Sequence, residues 1–130
     1  MTVAVDTNVL VRFLLHDDPS WVAAEAIMTK DHIIVPPGVW LELEWVLRHA
    51  YDLQPETINM AIRNVLMLEN LSTSIEAALL RALDWHASGL DFADALHLAQ
   101  VEPALRIASF DRAFRKRGGE LQNDVEVFCP

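Results

Sequence analysis

The sequence predicts an α/β domain of three layers, a parallel sheet covered on both faces by helices. Three observations predict it. Short, β-branched apolar runs alternate with longer segments of helical periodicity, which is the order of βαβ units. Turn and breaker residues such as Pro36-Pro37-Gly38, Gly89 and Gly118-Gly119 punctuate that alternation. The length of 130 residues, with 52% of them apolar, suits one domain that buries a core without disulfides or other staples.

The elements follow in order. Val3-Ala4-Val5 is the first buried strand, and Asp6-Thr7-Asn8 supplies helix-capping types before Val9 to Leu15. Asp17-Asp18-Pro19-Ser20 breaks that helix, and Pro19 suits the first turn of a second helix running to about Lys30. Ile33-Ile34-Val35 is the second strand, closed by Pro36-Pro37-Gly38. From Val39 the apolar positions 39, 40, 43, 46, 47, 50 and 51 keep helical spacing. Another helix is expected from Pro55 to Met67, and Leu71-Ser72-Thr73 is a weak third strand. Ile75 to His86 is helical and stops at Gly89, a candidate C-cap. A further helix opens near Asp91, and Leu105 to Ser109 is the fourth strand. A short basic helix ending at Gly118-Gly119 and the strand Val125 to Phe128 complete the chain.

Composition narrows the function classes. There is no low-complexity tract, linker or repeat, and no apolar run approaches the roughly 20 residues of a membrane span. The opening residues lack the basic stretch of a secretory leader, and the one cysteine, Cys129, offers no internal disulfide, so a cytoplasmic location is expected. Cys129 also has nothing near it in sequence to activate a nucleophile. A formal net charge of −9 argues against broad attraction to nucleic acid or anionic membranes. Yet five of the ten basic residues are Arg106, Arg112, Arg115, Lys116 and Arg117. That stretch is either a solvated helix face or a local phosphate-contacting patch.

The carboxylates carry the chemistry. Asp6 ends the first strand and Asp111 follows the fourth, so parallel topology sets both on the edge where such sheets bind ligands. Asp91 and Asp94 share a helix face, and Glu42 and Glu44 lie near the start of the helix after the second strand. Singly, Asp6, Asp91 and Asp111 read as N-caps, each worth about 1 kcal/mol. Jointly they would repel unless a cation lay among them. Oxygen ligands select Mg²⁺ or Mn²⁺ over zinc, and the five histidines form no HExxH pair. His97, three residues after Asp94, is the one histidine placed to approach the acids. The helical wheel leaves Glu42 and Glu44 undecided, because they fall on opposite flanks of the apolar face.

Val5-Asp6-Thr7-Asn8-Val9-Leu10 resembles the start of PIN domains, especially the VapC toxins of toxin–antitoxin pairs. Leu41-Glu42-Leu43-Glu44-Trp45-Val46-Leu47-Arg48, Asp91-Phe92-Ala93-Asp94-Ala95-Leu96-His97 and Ser109-Phe110-Asp111-Arg112 resemble that family's later acidic motifs, in order. The resemblance implies a single PIN domain over residues 1–130 with a five-stranded parallel sheet between helices. It assigns Asp6, Glu42, Asp94 and Asp111 as an acidic quartet, selects Glu42 over Glu44, and ranks Asp91 as a fifth acid. Thr7, Asn8 and Ser109 match polar positions that orient a carboxylate or a water. Arg12, Arg112, Arg115 and Lys116 are the candidate RNA contacts.

The activity implied is an endoribonuclease. Magnesium among the acids would lower the pKa of a water and neutralise charge growing on the phosphate oxygens, leaving a 3′-hydroxyl and a 5′-phosphate. The resemblance further implies a homodimer and a cognate VapB-like antitoxin that covers the acidic pocket. The four tryptophans would line a partner groove or fill the core, with Trp45, opposite its helix's apolar face, the best interface candidate.

Two rivals fit less well. A haloacid-dehalogenase-type domain wants an aspartate where this chain has Asn8, and it needs a late lysine, where the chain has only Lys30 and Lys116. A receiver-like module wants its lysine after a late strand, and Lys116 lies in the basic cluster instead. A catalytically silent PIN-like module that binds RNA or a partner is the remaining alternative.

Overall fold

The computed structural model describes residues 1–121 and 125–130, in which strands and helices succeed one another in the expected order. By the density of its internal contacts the chain divides into two compact units, Met1–Glu76 and Ala77–Pro130.

In the first unit, β1 (Thr2–Ala4) pairs in parallel with β2 (His32–Ile34), and β2 with β3 (Leu71–Ser72). Val3 stands opposite Ile33, and Ile33 opposite Leu71. The first two strands begin one residue earlier than expected. Val5 and Val35 nevertheless continue the pairing, donating to Ile34 O at 3.1 Å and Ser72 O at 3.0 Å, and both are buried. Helix α1 (Thr7–Leu15) packs on α2 (Trp21–Lys30) and on α3 (Pro37–His49), which packs in turn on α4 (Pro55–Leu66). Pro37 and Pro55 open their helices where a missing N–H costs nothing. Trp40 is fully buried, and its indole N–H donates to Thr73 Oγ1 at 3.0 Å, while that hydroxyl donates to Val35 O at 2.9 Å. The core position of α3 is thus tied to the end of β2, and Trp40 proves a core residue. Trp45 is 55% exposed, as its place on the wheel requires.

The second unit holds most of α5 (Glu76–Ala87), followed by α6 (Phe92–Gln100), β4 (Arg106–Ala108), α7 (Arg112–Leu121) and β5 (Glu126–Phe128). Strands β4 and β5 pair in parallel with Ile107 opposite Val127. Gly89, at φ 108°, turns the chain between α5 and α6. Arg81 ties those helices together by donating to Ala99 O at 2.6 Å, and the His86 ring meets Phe92 edge-on.

Two expectations change. Among the described residues the ladders are parallel sheets of three strands and of two, one in each unit, rather than one ladder of five. The basic helix also does not stop at Gly118-Gly119 but runs to Leu121. Gly118 is buried under β5, where an added Cβ would stand 2.8 Å from Val127 Cγ2. The glycine serves close helix–strand approach there, and tertiary packing overrides its poor helix propensity.

Candidate acidic site

Asp6 follows β1 and caps α1: its Oδ1 accepts from Thr7 N at 2.8 Å. Thr7 beside it is buried, and its hydroxyl oxygen has no partner, the one such buried side-chain atom among the described residues. Asn8 is exposed on the first turn. Asp6 and Asn8 therefore leave the end of β1 facing solvent, with Thr7 turned inward.

On α3 the two glutamates have opposite fates. Glu44 is buried, and both its oxygens are taken by Arg48, Nε to Oε2 at 2.7 Å and Nη2 to Oε1 at 3.2 Å. Glu42 is exposed. The paired acid serves the fold, and the solvent-facing one is available to a ligand. A glutamate four residues before an arginine was itself a sequence signal for that pair.

Arg12 is engaged at the α1–α2 turn. Its Nε donates to Ser20 Oγ at 3.1 Å and lies 3.8 Å from Asp18 Oδ1. Asp18 also accepts from the Ser20 hydroxyl and amide, and these bonds first, then Arg12, hold its carboxyl below the usual range. A hydrogen bond to Asp17 pushes the nearby Tyr51 phenol up. This network was missed in the sequence, although Asp17-Asp18-Pro19-Ser20 was recognised as a break.

In the second unit, Asp91 caps α6, its Oδ2 accepting from Asp94 N at 3.2 Å. Asp94 is half-buried in the first turn. Burial foremost, then the charges of Asp91 and Asp111, hold its carboxyl above the usual carboxylate range, against a smaller opposing effect of His97. The β4–α7 turn fixes Asp111. Its N–H donates to Ser109 Oγ at 3.0 Å, and its Oδ1 accepts from Phe114 N at 3.0 Å. Ser109 is anchored by its own N–H to Phe128 O at 2.8 Å, and its carbonyl accepts from Arg115 Nη1 at 2.9 Å. Asp6, Asp91 and Asp111 are thus all caps, as the bland reading of each expects. Asp94 in addition feels the charges of Asp91 and Asp111, which capping does not require.

The basic stretch divides by role. Arg106 pairs with Glu126 at 3.0 Å and lies 3.9 Å over the Phe128 ring. Arg117 approaches Glu120 at 4.0 Å, and Arg115 braces the β4–α7 turn. Arg112 and Lys116 are exposed, one helical turn apart.

Among the described residues, no three His, Cys, Asp or Glu side chains form a ready-made ligand set. The donor chemistry of Asp91, Asp94 and Asp111 nonetheless fits a hard divalent cation. All donors are oxygens, and the repulsion that disfavours the charged form of Asp94 is what a cation would relieve. Asp91, Asp94 and Asp111 supply oxygen donors of the kind that metal-assisted phosphodiester hydrolysis uses. The family model described as PIN domain matches residues 3–120, so the chain belongs to the PIN domain family, whose fold is generally that of metal-dependent nucleases. No curated protein and no solved structure matches the chain. Among the described residues, no helix is long and apolar enough to cross a membrane.

Proposed function

We propose that the chain is a magnesium-dependent endoribonuclease of the VapC toxin type, acting as one domain over residues 1–130. In this reading Asp6, Glu42, Asp94 and Asp111 form the acidic quartet, and Asp91 is a fifth acid. The observation that carries the reading is the PIN-domain match over residues 3–120, and it is supported by Asp94, a half-buried carboxyl raised by burial and by Asp91 and Asp111. Such frustration is costly without a cation and useful with one.

When bound, Mg²⁺ or Mn²⁺ supplies a hard Lewis acid that acidifies water and neutralises phosphate charge. The chain's residues do the rest. Asp111 is held by its turn so that one oxygen caps α7 while the carboxylate keeps its place beside Asp94. Asp91 fixes the first turn of α6, and hence the Asp94 backbone. Asp6, exposed at the start of α1, and Glu42, exposed in the second turn of α3, complete the oxygen donors, and Ser109 orients Asp111. Arg112 and Lys116 offer phosphate contacts.

A VapB-like antitoxin, a homodimer and a cytoplasmic setting belong to the same proposal. A net charge of −9 suits a basic partner segment. A groove of about 520 Å³ lined by Leu14, Leu15, Leu47, Leu53 and Met60, with Glu56 among its walls, suits an amphipathic helix.

The test is cleavage of mixed transfer and ribosomal RNA by antitoxin-free protein, with Mg²⁺ and with EDTA, for wild type and Asp94→Asn. Discrete 5′-phosphorylated fragments are expected from the wild type with metal alone. Folded wild-type protein that binds Mg²⁺ and cuts nothing would turn the reading toward a silent PIN module.

A further inference from the structure

We propose that Phe110 is a nucleobase-stacking residue, a rigidly presented aromatic platform beside Asp111 that holds an unpaired base of single-stranded RNA. The inference rests on the nuclease reading above and deepens it by naming how the substrate is gripped.

Phe110 is 80% exposed. Exposure alone decides nothing, since single apolar residues on a surface are ordinary. What sets this ring apart is the backbone that carries it. Phe110 sits between two residues pinned from four directions. Ser109 N–H is bound to Phe128 O, Ser109 O to Arg115, Asp111 N–H to the Ser109 hydroxyl, and Asp111 Oδ1 to Phe114 N–H. The Phe114 ring beneath is buried, which roots the turn in the unit's core. A ring offered from such a turn loses little backbone freedom on binding, so most of the stacking energy is kept. A phenylalanine that merely overhung a loose loop would lose much of it.

The surroundings then select the ligand. Phe110 directly precedes Asp111, whose charge reaches Asp94. The helix that Asp111 opens, α7, carries exposed Arg112 and Lys116 one turn apart. An aromatic ring on the same turn as an acid and at the head of a helix with exposed cations fits a nucleotide, with its base on the ring and its phosphates toward the cations. An apolar protein partner would leave those charges to be desolvated without partners. Whole-molecule charge points the same way. At −9 the field of the whole molecule does not draw RNA in, so a contact insensitive to salt has the more to supply.

The test is RNA binding in EDTA, where nothing is cut, using a fluorescein-labelled single-stranded oligonucleotide of mixed sequence. Wild type, Phe110→Leu, Phe110→Trp and Lys116→Ala are compared at about 50 and 200 mM salt. Loss of the π-face in Phe110→Leu is expected to weaken binding about fivefold or more, equally at both salts, with Phe110→Trp restoring it. Lys116→Ala is expected to weaken binding mainly at low salt, lowering the salt slope by about one. With Mg²⁺, Phe110→Leu is expected to raise KM with kcat little changed. Equal affinity for wild type and Phe110→Leu would overturn the stacking role, and so would a change confined to self-association. Continued cleavage with an unchanged KM would do so while leaving the nuclease reading intact. Binding that depends on Phe110 in a protein that never cuts would uphold the platform and remove the nuclease. Absence of both binding and cleavage would remove both.

Discussion

Glu42 and Glu44 stand two residues apart on one helix, and their partners decide their use. Glu44 is buried and holds a part-exposed Arg48 in a bidentate pair, so Glu44→Gln should destabilise the fold by roughly 1–3 kcal/mol in urea denaturation. Glu42→Gln should leave the denaturation midpoint unchanged and remove metal-dependent cleavage; retained cleavage would dismiss Glu42 from the quartet. The helical wheel left this choice open because it sees direction and not partners. Asp94 allows a second test. Its folded pKa lies above the ordinary 3.8, so the folded state holds more protons and stability falls as pH rises through that window. Its charged form therefore opposes folding at neutral pH when no cation is present. In EDTA near pH 7, Asp94→Asn should be at least as stable as wild type, an advantage that fades in acid. Added Mg²⁺ should stabilise wild type and not the variant. An Asp94→Asn protein markedly less stable in EDTA would show that the carboxylate is structural.

At the scale of elements, helix α7 and its two glycines show where sequence reading stops. Side by side, Gly118 and Gly119 look like a terminator, yet the helix continues to Leu121. Their surroundings separate them. A Cβ at Gly118 would strike Val127, whereas at Gly119 nothing lies within 4 Å. Gly118→Ala should therefore cost about 1–3 kcal/mol through α7–β5 overpacking. Gly119→Ala should stabilise by about 0.5–1 kcal/mol, the ordinary gain of alanine over glycine inside a helix. Thermal denaturation of the two variants checks both signs, and destabilisation of similar size at both positions would mean that the helix really ends there. The helices with one apolar stripe, such as α4, were legible to within a residue or two from periodicity alone. The strands were placed correctly, but the first two are shifted by one and the other three are shorter than expected, because with two or three paired residues each, the ladder's ends depend on neighbours far along the chain.

For the whole molecule, Asp6 and Asp111 were legible as acids that follow strands, but the division of the chain was not. Asp6 and Glu42 belong to Met1–Glu76, and Asp94 and Asp111 to Ala77–Pro130. Periodicity reports each segment's buried face and carries no record of which segments cluster. The proposed quartet makes a thermodynamic demand on that division. If one cation depends on all four acids, its binding energy is indivisible: losing any donor removes most of it, and losing a second removes little more. At a hundredfold excess over Kd, Mg²⁺ should stabilise wild type by about 2.7 kcal/mol, or roughly 10 °C in Tm for a chain this size. Asp6→Asn and Asp94→Asn should each abolish nearly all of that shift, and the double variant should match either single one. Calorimetric scans with Mg²⁺ and with EDTA, at fixed protein concentration, read all four proteins. Additive losses, each substitution removing about half of the shift, would mean that the two groups of acids bind cations independently. In that case the quartet would not act as one site, and a cluster centred on Asp91, Asp94 and Asp111 would have to carry the metal chemistry by itself.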